Sequence, residues 1–278
     1  MTRKMRYEKA VPVKKHQNLV KIGHVHIGGC DLQPQHRRPF VIAGPCSVEG
    51  LEMMEQTARS VQSSGATVLR GGAFKPRTSP YEFRGMQEEG LRILREVSNQ
   101  TNMPVVTEAM DTRHVDLVAS YADAIQIGAR NMQNFALLEA AGVTGKPVLL
   151  KRGPSATIKE FLLAAEYVMN AGGHDQVILC ERGLRSFDSC TRNLLDISAV
   201  PVLQSMTDLP VIIDPSHAAG RSDIVPALCY AAIAAGANGL IIEVHPNPRK
   251  ALTDGAQSLN LFQFRYMMYK LELISACI

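Results

Sequence analysis

The feature that most constrains this chain is a repeat: eight short apolar runs, each followed by a polar or glycine-rich turn and then, in most cases, a helical stretch. The runs are Phe40–Ala43, Thr67–Leu69, Val105–Thr107, Ala124–Ile127, Val148–Leu150, Val177–Leu179, Val211–Ile213 and Leu240–Ile242. Being apolar throughout rather than alternating, they suit a parallel sheet covered on both faces. The segments between them carry helical patterns. Leu51, Met54, Ala58 and Val61 share one face, and Thr157 with Glu160 forms a capping-box pattern ahead of Phe161, Leu162 and Ala165. Ser222 stands where it would cap the helix carrying Ile224, Ala227, Leu228 and Ala231. Eight such units in 278 residues predict a (β/α)8 barrel, with a doubly wound open sheet as the alternative.

The rhythm starts at Pro39, which divides the chain into an N-terminal extension, residues 1–38, and a barrel, residues 39–278. Within the extension, Ile22, Val25 and Ile27 precede Gly28 and Gly29, the pattern of a strand leading into a turn or hairpin that closes one end of the barrel. The extension is too short for a separate regulatory domain. A composition of 46% hydrophobic and 20% charged residues supplies a core for one large domain. The net charge of +4 is mild and no long basic block occurs, so nucleic acid is not implied. No apolar run reaches membrane-spanning length, and the N-terminus lacks the apolar core of a signal peptide, which makes cytoplasm the expectation. Six cysteines without a CxxC pair argue against a disulfide framework or a zinc knuckle.

A barrel of this kind gathers its chemistry at the C-terminal ends of its strands, and that is where the polar clusters fall. Cys46 and Ser47 follow the first run; Glu108 ends the third; Arg130, Lys151 and Arg182 follow the fourth, fifth and sixth; Asp214 to His217 and Glu243 to His245 follow the last two. The densest cluster follows the second run, where Arg70, Lys75 and Arg77 stand among glycines and prolines with the hydroxyls of Thr78 and Ser79. Planar guanidinium donors, an ammonium charge and backbone that a ligand can approach closely suit phosphate or carboxylate guests.

GPCSVE, KPRTSPYEFRG, IQIGARNMQNF, LLKRG, CERG, DPSH and EVHPNP with ALTDGAQSL together resemble the 3-deoxy-D-arabino-heptulosonate 7-phosphate (DAHP) synthases. Within these, the resemblance is to the short type related to 3-deoxy-D-manno-octulosonate 8-phosphate (KDO8P) synthase, and it runs from about Pro39 to Gln263. It implies a (β/α)8 barrel that condenses phosphoenolpyruvate with an aldose phosphate, the first step of the shikimate pathway to aromatic amino acids, using a divalent metal. The implied metal ligands are Cys46, His217, Glu243 and Asp254, whose thiolate, imidazole and carboxylates suit Mn, Fe, Co or Zn. Spacing alone leaves these residues open, since a buried Cys is often a small hydrophobe and His217 could cap a turn. His245 is the lesser candidate, and the other five cysteines read as structural.

The same resemblance places Arg130, Lys151 and Arg182 on the phosphate of phosphoenolpyruvate and Arg70 and Lys75 near its carboxylate. Arg77, Thr78 and Ser79 fall on the sugar phosphate. Lys75 joins Cys46, His217 and Asp254 as a catalytic candidate, as a proton donor to the new alkoxide, and Glu108 or Asp254 would position water. Lys75-Pro76-Arg77-Thr78 matches the DAHP synthase pattern, where the octulosonate enzyme typically has Lys-Ala-Asn-Arg, and so points to erythrose 4-phosphate over arabinose 5-phosphate. The expected assembly is a homotetramer or dimer with no attached aromatic-amino-acid sensor. Alternatives are a KDO8P synthase, a Schiff-base aldolase using Lys151, and a non-catalytic anion-binding barrel.

Overall fold

A computed structural model describes residues 18–28, 39–75, 79, 81–172 and 175–277. All eight apolar runs are strands: β3 (Phe40–Gly44), β4 (Val68–Arg70), β5 (Val105–Glu108), β6 (Ala124–Ile127), β7 (Val148–Lys151), β8 (Val177–Glu181), β9 (Val211–Ile213) and β10 (Gly239–Glu243). They pair in parallel and in chain order, and β10 closes on β3 with Glu243 opposite Gly44. The helices α1 (Leu51–Ser63), α2 (Gln87–Thr101), α3 (Val115–Tyr121), α4 (Phe135–Val143), α5 (Ile158–Gly172) and α6 (Ala199–Met206) follow the first six in turn. The short α7 (Pro215–Ala219) and α8 (Val225–Ala234) lie between β9 and β10, and α9 (Leu261–Ser275) follows β10.

Strand alternation divides the apolar residues into two layers. Val41, Leu69, Val105, Leu150 and Ile242 face outward and pack under the helices, where Met54, Leu94, Phe161 and Phe264 are fully buried. Ile42, Val68, Val106, Leu149, Ile178, Ile212 and Ile241 face inward and fill the barrel. The helical patterns hold where the chain caps itself: Thr157 Oγ1 accepts from the Glu160 amide at 3.2 Å, while Glu160 Oε2 accepts from the Thr157 amide at 2.8 Å. Ser222 behaves differently from expectation. Helix α8 begins only at Val225, with Ile224 at its N-cap and no side-chain cap. Ser222 stands in the preceding turn, its amide bonded to the Ala256 carbonyl.

The described part of the extension is a hairpin, β1 (Leu19–Ile22) paired antiparallel with β2 (Val25–Gly28). Val20, Ile22 and Ile27 are buried against the inward-facing layer at the N-terminal ends of the barrel strands. Hydrogen bonds from Asn18 to the Asp175 and Asp208 carbonyls, from Gln176 Nε2 to the Leu19 carbonyl, and from the Lys21 amide to Gln176 Oε1 tie it to the segments entering β8 and β9. The hairpin thus plugs the end of the barrel opposite to the polar clusters. No described helix is long and apolar enough to cross a membrane.

Candidate active site

The inward alternation that fills the barrel with aliphatic side chains becomes polar at its last step. Two residues after Val68, Val106, Ala124, Leu149, Ile212 and Ile241 stand Arg70, Glu108, Gln126, Lys151, Asp214 and Glu243, on the same face of their strands or strand ends. Arg70, Glu108, Gln126 and Lys151 form the floor of a cavity of about 340 Å³, walled by Lys75, Arg130, Arg182, Arg185, Arg192, His217 and Asp254. The adjacent Lys151 and Arg152 illustrate the rule. Lys151 points into the barrel and pairs with Asp214, whereas Arg152 turns outward to Glu181 and Asp196, both at 2.9 Å, and ties loops together.

On one wall, four ligand-type atoms from Cys46, His217, Glu243 and Asp254 lie within 4.8 Å of one another. Cys46 Sγ donates to Asp254 Oδ2 at 3.0 Å, and His217 Nε2 is 3.4 Å from Glu243 Oε1. Asp214 caps α7 by accepting from the His217 amide, and its Oδ2 is 2.7 Å from His217 Nδ1. The ring is thereby held with Nε2 toward the other three residues. One thiol, one imidazole and two carboxylates are a fitting donor set for a divalent ion of borderline softness. Burial, reinforced by Glu243, pushes the Cys46 thiol up to about 12. Burial also holds His217 below its ordinary value, so its imidazole is neutral and available as a ligand. Asp254 is held down to about 2: burial opposes this, and the hydrogen bond from the Cys46 thiol together with the charges of His217, Arg192 and Lys75 outweighs it.

The cavity has more cations than the wall can neutralise. Lys75 Nζ donates to the Cys46 carbonyl at 2.7 Å, and Arg70 Nη2 donates to Glu243 Oε1 at 3.1 Å. Arg70 Nη1 is buried without a partner among the described residues. Burial opposes the charge on Lys75, yet the acidic groups around it, Cys46, Glu108 and Glu243, raise its pKa. Burial lowers the pKa of Arg182, and no carboxylate among the described residues pairs with it. A desolvated guanidinium and an orphaned N–H both favour an anionic guest.

Seven predicted residues therefore line one cavity: Arg70, Lys75, Arg130, Lys151, Arg182, His217 and Asp254. Cys46 and Glu243 join His217 and Asp254 in the wall behind it. Glu108, expected to position water, is in the floor. Ser79 is not among the lining residues; its Oγ accepts from the Tyr81 amide at 3.3 Å. Arg77 and Thr78 lie outside the described residues, as does Cys30. His245 is buried but turned away from the cluster, toward Glu49 at 3.3 Å. Of the cysteines read as structural, Cys180 and Cys229 are buried, whereas Cys190 and Cys277 are exposed and pack no core.

Sequence reasoning did not single out Asp214, Gln126, Arg185, Arg192 and Gln257. Strand alternation carried two residues further signals the first two, and Gln257 lies within the ALTDGAQSL motif; Arg185 and Arg192 stand in irregular segments with no local signature.

The sequence profile of the DAHP synthetase I family matches residues 22–274. Phospho-2-dehydro-3-deoxyheptonate aldolase of Thermotoga maritima is 55% identical over 235 residues, covering 84% of this chain and 69% of that protein. A 2-dehydro-3-deoxyphosphooctonate aldolase of Syntrophobacter fumaroxidans is 33% identical over 252 residues, covering 84% and 86% respectively. Among solved structures, the Thermotoga maritima DAHP synthase superposes with a TM-score of 0.88 at 51% identity, covering 94% of this chain and 74% of that one. A truncated form of the 3-deoxy-D-arabino-heptulosonate 7-phosphate synthase from the same organism gives 0.85 at 50% identity, covering 94% and 93%. With its closed barrel, its cation-lined cavity and this breadth of similarity, the chain belongs to the DAHP synthetase I family.

Proposed function

We propose that this protein is a 3-deoxy-7-phosphoheptulonate synthase. It condenses phosphoenolpyruvate with D-erythrose 4-phosphate to give DAHP and inorganic phosphate, the shikimate-pathway entry to aromatic amino acids. The observation that carries the reading is the convergence of Cys46, His217, Glu243 and Asp254 within 4.8 Å beside a cavity lined, among the described residues, by seven Lys and Arg and two carboxylates. The 55% identity to a heptonate aldolase and the Lys75-Pro76-Arg77-Thr78 segment favour the four-carbon sugar. In this reading residues 39–278 are the catalytic barrel, residues 1–38 are its extension, and the chain works as a homo-oligomer.

The four clustered residues would hold Mn, Fe, Co or Zn, and the ion, when bound, would supply Lewis acidity toward an aldehyde oxygen. The rest falls to the chain. Arg130, Lys151 and Arg182 hold the phosphate of phosphoenolpyruvate, and Arg70, through its unpartnered Nη1, holds the carboxylate. Arg77, Thr78 and Ser79 receive the sugar phosphate. With both guests fixed, C3 of the enol bonds to the aldehyde carbon. C2 becomes electron-poor, water oriented by Glu108 or Asp254 adds there, and the hemiketal phosphate collapses with loss of phosphate. Lys75, whose pKa is raised, keeps its proton until an acceptor as basic as an alkoxide forms, and delivers it there. A Schiff-base route through Lys151 fits less well, because that amine is engaged with the Asp214 carboxylate rather than free to attack.

Phosphate release should be measured with phosphoenolpyruvate plus erythrose 4-phosphate or arabinose 5-phosphate, after chelation and after Mn is restored. The expected result is release with the four-carbon sugar only, lost on chelation and recovered with Mn. Turnover undiminished by exhaustive chelation, or confined to the five-carbon sugar, overturns the reading.

A further inference from the structure

Beyond the four clustered residues, the structure shows how the two carboxylates among them are aimed. Each has one oxygen in the cluster and one outside it. Glu243 Oε1 faces His217 Nε2 at 3.4 Å, while its Oε2 accepts from Gln257 Nε2 at 2.6 Å. Asp254 Oδ2 faces Cys46 Sγ at 3.0 Å, while its Oδ1 accepts from Arg192 Nη1 at 3.1 Å. The same Nη1 donates to Gln257 Oε1 at 3.0 Å. The outward oxygens are thus joined through a two-residue bridge, Glu243–Gln257–Arg192–Asp254.

Three further observations show that the bridge is anchored. Gln257 is buried. Asp254 sits in the left-handed region at φ 49°, a conformation that a non-glycine residue holds only when its surroundings fix it. Arg192 is clamped by its own chain: its amide bonds the Ala219 carbonyl at 3.0 Å, and Asn193 Nδ2 bonds the His217 carbonyl at 2.9 Å. Gly220, at φ 70°, lies so close that a Cβ there would come within 2.5 Å of Arg192 Cβ. The segment after β8 supplies no ligand atom, yet it touches α7 behind His217, reaches Asp254, and through Gln257 reaches Glu243.

We infer that Arg192 and Gln257 are a coupled pair of positioning residues that turn the inner oxygens of Asp254 and Glu243 into the cluster and so set how tightly it holds a divalent ion. The inference rests on the metal reading above, which by itself requires only the four ligands. Outer hydrogen bonds of this kind typically contribute about 10- to 100-fold in metal affinity.

The test uses the full chain, stripped by chelation and titrated with Co(II), reading both the dissociation constant and the thiolate-to-cobalt absorption band that reports Cys46 in the coordination sphere. Arg192→Met and Gln257→Leu should each weaken Co(II) binding about 10- to 100-fold and shift that band, and the double variant should be no weaker than the worse single one. Arg192→Lys, which keeps the charge but not the length and planar geometry that set Nη1 between two acceptors, should recover little. Far-ultraviolet dichroism and thermal unfolding of the metal-free variants identify any misfolded one, and the remaining single variant then carries the comparison. Wild-type protein that binds Co(II) with its thiolate band, beside variants of unchanged affinity and band, would sink the coupling and leave the metal reading standing. Singles whose effects multiply in the double variant would also refute the coupling. Wild-type protein that binds no ion would remove both.

Discussion

At the scale of single residues, protonation decides how readily the cluster takes a metal. The Cys46 thiol, pushed up to about 12, must lose its proton on coordination, whereas His217, held below its ordinary 6.5, is already neutral near pH 7. One proton is therefore released, so the association constant should rise about tenfold per pH unit between about pH 7 and 8.5, measurable by Co(II) titration across that range. Three buried thiols, Cys46, Cys180 and Cys229, are all raised above 9.0 by burial. A raised folded-state pKa gives stability that is complete below the unfolded value and is lost as pH climbs above it. The metal-free protein should thus lose denaturant resistance above about pH 9. Cys46→Ala should abolish metal retention, seen by equilibrium dialysis, and turnover with it. Asp214→Asn should weaken the metal about 10- to 100-fold, since Asp214 fixes the Nδ1 side of His217 at 2.7 Å while pairing with Lys151.

At the scale of elements, strands were far more legible than loops. Every apolar run became a strand because a strand buried on both faces has little freedom in composition. The hairpin was legible only in part: Ile22, Val25 and Ile27 read as one strand with its turn at Gly28 and Gly29, whereas the chain turns between Ile22 and Val25, because β1 buries only alternate residues. Lys151 and Arg152 look equivalent as neighbours in the chain, and only the inside–outside alternation of β7 separates a cavity residue from a loop tie. Ser222 misled because a cap signal is local, whereas the start of α8 is set by packing of Val225, Cys229 and Ala232 against the barrel. The pairing of Arg192 with Gln257 was illegible: they are 65 residues apart in sequence and meet only because the barrel closes. Two element-scale outcomes follow. Ile22→Ala, which empties a fully buried position in the plug, should cost about 2–5 kcal/mol in urea unfolding while leaving kcat nearly unchanged, since stability and chemistry occupy opposite ends of the barrel. Gly128→Ala would place a Cβ 2.1 Å from Glu108 Oε1. It should reduce kcat about tenfold or more by displacing that carboxylate, with little loss of melting temperature.

For the molecule as a whole, seven cations around one mouth make a field that draws anions in. Raising ionic strength from about 0.05 to about 0.5 M should lower kcat/KM more than kcat, because screening acts on approach and not on the assembled complex. An equal loss in both would place the charges in chemistry alone. The family was legible at this scale because its motifs are spread over the whole rim, so no single loop had to be read correctly. The plugged end has a further consequence. With the inward aliphatic layer and, beyond it, Val20, Ile22 and Ile27 filling the opposite end of the barrel, guests of the proposed reaction would come and go through the strand C-terminal mouth, last in and first out. On that reading, a guest seated on the strand-borne Arg70 and Lys151 should go down before one held by loops nearer the opening, and should leave only after it.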